Sequence, residues 1–254
     1  MQRRDAISIA SKLIKNSIKN ISRGINGNPL PGSFHRDPFY AQKLLLRHQQ
    51  VGLILDVGGN KGQSVEEYRK LFKDARILSF EPFEKNYNIL SQTCQEDGNA
   101  AAVKLAISDQ IGRQALFVTK HSTMHSLLPL IGAEEQLQEN EVETTTLDAF
   151  CSREKISRVP ILKMDIQGGE LQALRGAADL LADQRVDVIY TEIMFSPQYH
   201  NQAQFFELYQ HVHQFGYHLF GLYGLRINQR HVLQHGNAIF ISSEIESQLA
   251  KQCA

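Results

Sequence analysis

The sequence contains no tryptophan and only three cysteines. The absence of tryptophan weakens an argument for a membrane-interface belt or for stacking on carbohydrate. Cys94, Cys151 and Cys253 lie far apart without CxxC spacing, which argues against a disulfide framework and a structural zinc site. We therefore expect reduced cysteines and a cytoplasmic protein.

The sequence also lacks an excess of charge and a long apolar run. Lys plus Arg and Asp plus Glu both total 27, so the formal net charge is zero and no overall basic field attracts nucleic acid. No run of about eighteen or more apolar residues is present, so no membrane-spanning helix is expected. The length of 254 residues is enough for one large α/β domain with a terminal addition.

That addition is basic and amphipathic. Residues 1–25 carry six basic side chains against one acid, and their isoleucines recur at helical spacing. Packing on the domain itself or in a homo-oligomer is favoured over membrane-surface contact through residues 1–23, because the apolar face lacks aromatic side chains. We predict a helix and turn-rich linker over residues 1–36, followed by the α/β domain over 37–254.

Within that domain, short apolar runs alternate with amphipathic stretches. This alternation predicts a mostly parallel, doubly wound, Rossmann-like sheet with helices on both faces, and an antiparallel edge pair at the C-terminus. Asp37 and Pro38 predict the start of a helix. A short hairpin is predicted between residues 115–119 and 142–146. The predicted strands are 52–56, 76–80, 103–107, 161–164 and 186–191, with the edge pair at 217–222 and 238–242, and the predicted helices are 65–72, 84–94, 168–182 and 202–214.

A glycine-rich loop follows the first predicted strand. It reads Asp56-Val57-Gly58-Gly59-Asn60-Lys61-Gly62 and leads into a helix, whose free N–H groups favour a ligand. In Phe80-Glu81-Pro82, Glu81 ends the second strand, where a carboxylate can accept both hydroxyls of a ribose. Together the two features predict a nucleoside site.

The loop also restricts the kind of nucleoside. A dinucleotide fingerprint needs glycine at 58, 60 and 63, but Asn60 and Gln63 stand at two of these positions, and Gly62-Gln63-Ser64 does not complete a P-loop. S-adenosylmethionine, which has a ribose and no phosphate, fits better. After the third strand, Ser108 and Asp109 follow Ala106-Ile107, and Asp109 can accept from the adenine amino group.

These residues resemble the FkbM family of S-adenosylmethionine-dependent methyltransferases over roughly residues 50–242. The resemblance includes the glycine loop, Phe80-Glu81-Pro82, Ala106-Ile107-Ser108-Asp109, Thr145-Thr146-Leu147-Asp148 and, as its most specific part, Lys163-Met164-Asp165-Ile166-Gln167-Gly168-Gly169-Glu170. The family usually has alanine where Gly59 stands and often a bulkier residue at 169. The resemblance implies methyl transfer, commonly to a hydroxyl of a sugar, glycolipid or polyketide-type natural product.

The acceptor hydroxyl has to lose a proton, and two carboxylates are candidates to help it. Asp165 and Glu192 end the fourth and fifth predicted strands, which places both at the rim where ligands bind if the strands are neighbours. They could bind a divalent cation such as Mg²⁺, or one could act as a base near the other's charge. Lys163 shares a strand face with Asp165, which is its nearest offered partner.

His121 and His125, in an irregular segment, are further candidates for the general base. Two alternative functions remain open on the residues alone. One is a non-catalytic S-adenosylmethionine-binding protein, and the other is a nicotinamide-dependent oxidoreductase on the same architecture, which the missing glycines disfavour.

Overall fold

In the computed structural model of the protein, a seven-stranded sheet forms the centre. The structure describes residues 37–119, 124–132, 136–229 and 231–251. The strands are β1 (Leu53–Val57), β2 (Arg76–Phe80), β3 (Ala100–Val103), β4 (Ala106–Ile107), β5 (Gly112–Thr119), β6 (Gln136–Thr145), β7 (Val159–Met164), β8 (Val186–Met194), β9 (His218–Ile227) and β10 (Leu233–Ile241).

The order of strands in this sheet is β3-β2-β1-β7-β8-β10-β9. The first five strands are parallel, and β10 pairs antiparallel with both β8 and β9. The strand order reverses between β1 and β7, which in doubly wound sheets is where a ligand crevice opens. The predicted Rossmann-like α/β fold with an antiparallel C-terminal edge is confirmed.

Helices cover both faces of the sheet. They are α1 (Pro38–Leu45), α2 (Gln63–Leu71), α3 (Glu84–Asp97), α4 (Leu147–Arg153), α5 (Glu170–Arg175), α6 (Ala178–Ala182), α7 (Phe205–Gln214) and α8 (Ser243–Lys251). Strand alternation divides the core between the faces. Leu55 and Val57 of β1 pack in one buried cluster with residues of α4 to α7, whereas Ile54 packs in the other with residues of α1, α2, α3 and α8.

A smaller sheet in the order β4-β6-β5 lies beside the main one. The predicted hairpin is confirmed, because β5 and β6 pair antiparallel. The single strand predicted over 103–107 is wrong. The apolar run continues across two elements: β3 ends at Val103 in the main sheet, and β4 begins at Ala106 in the small one.

Helix boundaries follow local signals. Asp37 caps α1 as predicted, since its Oδ1 accepts hydrogen bonds from the N–H groups of Phe39 and Tyr40. The helix predicted over 168–182 is broken into α5 and α6 around Gly176, where a Cβ would lie 2.2 Å from the carbonyl oxygen of Ser108. Two helices, α4 and α8, were not predicted.

The basic helix predicted in residues 1–36, with its membrane-surface contact at 1–23, lies outside the described residues. Within the described ranges, no helix is long and apolar enough to cross a membrane.

Candidate functional site

A cleft opens at the carboxyl ends of β1, β2 and β7. It holds about 720 Å³ of empty space, a volume that includes open solvent at its mouth. Its walls are formed by Val57, Gly58, Asn60, Phe80, Glu81, Pro82, Leu105, Ala106, Ile107, His125, Leu127, Asp165, Ile166, Gln167 and Gly169. One cavity therefore joins the predicted ribose acceptor, Glu81, to the predicted acceptor-site acid, Asp165.

The glycine loop is held tightly against the end of β2. The N–H groups of Gly58 and Gly59 donate to the carbonyl oxygen of Phe80 at 3.0 and 2.8 Å. Gly58 has φ +83°, and a Cβ there would lie 2.0 Å from the backbone oxygen of Asp165. Only glycine lets β1 and β7 approach so closely at this point. Gly62, also at positive φ, is the N-cap of α2 and lies outside the cleft wall.

Gly59 faces a different obstacle. A Cβ at this position would lie 2.0 Å from Ser79 Oγ, and Ser79 Oγ donates a hydrogen bond of 2.6 Å to Asp56 Oδ2. The serine hydroxyl therefore occupies the space that the alanine usual in the FkbM family would need. Gly59 is a packing position here and does not line the cleft.

This packing predicts a compensated pair. Gly59→Ala alone should lower the free energy of unfolding by about 1–3 kcal/mol through overpacking. In a Ser79→Ala background the same exchange should lower stability by less, because the obstructing hydroxyl is gone and only Leu90 Cδ2 at 3.0 Å and Ser79 Cβ at 3.2 Å still have to give way. Urea unfolding of the four proteins measures this, with Gly52→Ala as a matched control, since nothing lies within 4 Å of a Cβ at Gly52. An equal loss in both backgrounds would contradict the assignment to Ser79.

Glu81 lies at the end of β2 and is only 6% exposed. Its two oxygens accept hydrogen bonds from the N–H groups of Asn60 and Phe83, at 3.0 and 2.9 Å. Burial raises the pKa of Glu81 to about 7, although these two hydrogen bonds and the charge of Lys163 oppose the shift. A carboxylate oxygen can accept more than one hydrogen bond, so each oxygen retains capacity for a ligand.

Asn60 is the other polar group on the loop side of the cleft. Its backbone has φ +48°, a left-handed conformation that asparagine tolerates better than most residues. Its side-chain Oδ1 is buried and has no hydrogen-bond partner within the part of the chain that the structure describes. A buried acceptor of this kind is stabilised when a ligand donates to it.

Asp56 and Lys163 require two corrections. Asp56 is fully buried behind the loop and does not line the cleft, so its side chain is not among those offered to a cofactor. The partner of Lys163 is Asp56 and not Asp165: Nζ lies 2.8 Å from Asp56 Oδ1 and donates to the carbonyl oxygen of Gly58 at 2.9 Å. The physical reason is the β1–β7 register, which places these two residues side by side.

Asp165 and Glu192 come together, as predicted from neighbouring strands. Asp165 is exposed directly after β7 and lines the cleft, whereas Glu192 is partly buried within β8, which continues to Met194. Burial, and then the charges of Asp165 and Glu170, raise the pKa of Glu192 well above its ordinary value, against a lowering effect of Lys163. A carboxyl group with this pKa holds its proton at neutral pH.

Two further residues organise this acidic pair, and the sequence reasoning assigned them no role. The amide nitrogen of Gln167 donates to Asp165 Oδ1 at 2.9 Å and to Glu192 Oε2 at 3.0 Å. The hydroxyl of Tyr199, which is 1% exposed, donates to Gln167 Oε1 at 3.1 Å. Gln167 belongs to the segment most specific to the resemblance, which was the one signal that could have identified it.

Of the two histidine candidates, the structure describes only His125. His121 lies outside the described residues. His125 lines the cleft, and its Nδ1 accepts a hydrogen bond from the N–H of Thr119 at 3.2 Å. Burial lowers the pKa of His125, which favours the neutral ring. With Nδ1 as acceptor, the neutral ring carries its proton on Nε2, so His125 offers a donor rather than a base at that atom.

Ser108 and Asp109 lie next to the cleft rather than in its wall. Ser108 Oγ is 3.3 Å from Asp109 Oδ1, and both residues line an adjoining pocket that shares Leu127 and Gly169 with the cleft. An adenine contact from Asp109 therefore stays a prediction, and it would require the ligand to extend past Leu127.

The acidic pair does not fit a divalent cation well. No group of three or more His, Cys, Asp or Glu side chains placed to hold a metal occurs in the described ranges. Glu170 is nearby, but its Oε1 already accepts from the N–H of Ile166 at 2.9 Å. Between Asp165 and Glu192 lies the Gln167 amide nitrogen, which is a donor and cannot ligate a cation while it faces both acids.

Two known proteins match part of this chain in sequence. Over 167 residues the chain is 26% identical to the 2-O-methyltransferase NoeI of Sinorhizobium fredii, covering 59% of this chain and 66% of that relative. Over 145 residues it is 26% identical to Methyltransferase 1 of Beauveria bassiana, covering 50% of this chain and 58% of the relative. The chain thus spans less than two thirds of the length of either relative.

Among solved structures, the magnesium protoporphyrin IX methyltransferase of Synechocystis with bound S-adenosylmethionine aligns over 94% of this chain and 97% of its own, with 11% identity and a TM-score of 0.47. A family model described as the methyltransferase FkbM domain matches residues 56–219. This range is more than half of the chain and includes the glycine loop, Glu81 and Asp165. The chain belongs to the FkbM methyltransferase family.

Proposed function

We propose that the protein is an S-adenosylmethionine-dependent O-methyltransferase that acts on a hydroxyl of a sugar, glycolipid or polyketide-type natural product. The observation that carries the proposal is the single cleft with Glu81 beside the glycine loop and Asp165 on the β7 rim. Family membership supports methyl transfer. The 26% identity to a relative named a 2-O-methyltransferase supports oxygen as the acceptor atom.

On the cofactor side, Glu81 and Asn60 are the groups that would hold the ligand. The oxygens of Glu81 retain capacity to accept the two ribose hydroxyls. The unpartnered Asn60 Oδ1 is available to the ammonium group of the amino-acid end. When bound, S-adenosylmethionine supplies a methyl group on a positively charged sulfur.

On the acceptor side, Asp165 holds the hydroxyl and receives its proton. Its carboxylate is exposed at the cleft wall, and one oxygen is fixed by the Gln167 amide. A fixed acceptor orients the hydroxyl for attack and removes its proton as the new bond forms. Glu192 does not line the cleft. Its proton therefore does not contact the substrate directly and acts only within the pair of acids.

The two alternatives predict different ligands. A non-catalytic binding protein would bind S-adenosylmethionine without turnover, and an oxidoreductase would bind NADH. Purified protein should therefore be titrated with each ligand by calorimetry, with and without Mg²⁺, and then assayed with labelled S-adenosylmethionine against a panel of sugar and polyketide alcohols. Micromolar binding of S-adenosylmethionine alone, followed by label transfer, is the expected result. Binding of NADH alone would overturn the proposal.

The raised pKa of Glu81 gives this titration a pH signature. Ribose hydroxyls donate to the ionised carboxylate, and with a pKa of about 7 that form is lost as the pH falls through neutrality. The affinity for S-adenosylmethionine should therefore weaken by up to about tenfold between pH 8 and pH 6. Glu81→Gln should bind S-adenosylmethionine more weakly at pH 8, and its affinity should not change with pH. An equal pH dependence in both proteins would show that Glu81 does not bind the ribose.

A further inference from the structure

Gln167 stands in an unusual backbone conformation between β7 and α5. Its φ of +57° lies in the left-handed region, and Gly168 after it has φ +98°. The turn is fixed from outside, because Ser126 Oγ donates to the carbonyl oxygen of Gln167 at 2.7 Å. Strain of this kind persists where the surroundings enforce it, and it often accompanies a functional site.

The side-chain amide of Gln167 has one favourable orientation. In that orientation its nitrogen faces the oxygens of Asp165 and Glu192, and its oxygen accepts from the buried hydroxyl of Tyr199. Turning the amide over would place its carbonyl oxygen against both acids, which have at most one proton to offer it. Tyr199 thus determines which end of the amide meets the acidic pair.

We propose that Gln167 is a positioning residue whose amide nitrogen occupies the place of a cation between Asp165 and Glu192, so that this pair works without a divalent metal. The proposal rests on the proposed function, in which Asp165 receives the proton of the acceptor hydroxyl. The amide bonds one oxygen of each acid and leaves the other oxygen of Asp165 for the substrate. Its N–H groups supply, beside the Asp165 carboxylate, the partial positive charge that a cation would otherwise supply.

A single substitution at Gln167 should turn the acidic pair into a cation site. Gln167→Glu replaces the bridging donor by an acceptor of nearly the same shape and brings a third carboxylate to the pair. Three converging carboxylates are the type of oxygen ligand set that Mg²⁺ and Mn²⁺ bind. The variant should therefore gain a cation site that the wild type lacks.

Calorimetric titration with MnCl₂ tests this directly. The wild type is expected to bind Mn²⁺ only in the millimolar range, and Gln167→Glu at least tenfold more tightly. Gln92→Glu is the matched control, because Gln92 donates to a single carboxylate, Glu96, on the exposed surface of α3. It makes the same change of charge and should bind no more tightly than wild type. Tight binding by wild type, or none gained by Gln167→Glu, would overturn the proposal.

A second variant covers the case in which Gln167→Glu does not fold. Gln167→Met keeps the length of the side chain and removes the amide without adding charge. It should bind Mn²⁺ at least threefold more tightly than wild type, and it should lower kcat for methyl transfer about tenfold at unchanged KM for S-adenosylmethionine. Unchanged Mn²⁺ affinity and kcat would count against Gln167. If the wild type transfers no methyl group, the proposed function is wrong. The Mn²⁺ titrations still test the role of Gln167, because they do not depend on methyl transfer.

Discussion

Asp165→Asn is expected to lower the rate of methyl transfer by about 10²- to 10⁴-fold, the usual contribution of a positioned base. The exchange removes the group that receives the hydroxyl proton and retains an oxygen that can accept from the Gln167 amide. The affinity for S-adenosylmethionine should stay within about twofold of wild type, because Glu81 and Asn60 are unchanged. Calorimetry and initial rates with a labelled methyl donor measure the two effects separately.

Two variants make this result specific. Asp179→Asn repeats the exchange on the exposed side of α6, away from the cleft wall, and should leave the rate unchanged. Glu192→Gln should lower the rate less than Asp165→Asn, since Glu192 does not line the cleft. A larger loss in Glu192→Gln would transfer the base role to that residue, and a wild-type rate in Asp165→Asn would remove both acids from the proton transfer.

The parallel sheet could be predicted because its strands are buried on both faces. Runs such as Leu53–Val57 are apolar almost without interruption, and each is followed by a helical stretch or a turn signal. The missed helices have weaker signals. In α8 Ile245 is buried and Leu249 only partly so, which makes a short apolar stripe. Helix α4 has seven residues, with a cap at Thr146 as its main indication.

Site residues were predictable where function depends on the end of a strand. Glu81 and Asp165 follow directly from that rule, because parallel strands bring their carboxyl ends to one rim. The partner of Lys163 could not be predicted in this way. Choosing Asp56 over Asp165 requires the register between two strands that are separated by about a hundred residues in the sequence. Gln167 and Tyr199 meet only through a left-handed turn and the loop after β8, which no periodicity reveals.

Lys163→Met should be the most destabilising of these substitutions, lowering the free energy of unfolding by about 3–5 kcal/mol. The Lys163 and Asp56 side chains are 6% and 0% exposed, so removing the ammonium leaves a buried carboxylate without its counter-charge. Burial lowers the pKa of Lys163, but the charges of Asp56 and Asp165 outweigh this effect and leave the pKa raised, so the side chain stays charged. The carbonyl oxygen of Gly58 also loses its donor, and the glycine loop should bind S-adenosylmethionine more weakly.

Urea unfolding of a double-mutant cycle separates the charge from the packing. Asp56→Asn combined with Lys163→Met removes the unpaired charge, while Ser79 Oγ can still donate to the side-chain oxygen that the amide retains. The double variant should therefore recover at least half of the loss. Lys70→Met is the control, because Lys70 pairs with Glu67 on the exposed side of α2 and such pairs contribute about 0–1 kcal/mol. Additive losses in the cycle would mean that Asp56 and Lys163 are not coupled, and that the lysine stabilises the domain through its contact with the loop alone.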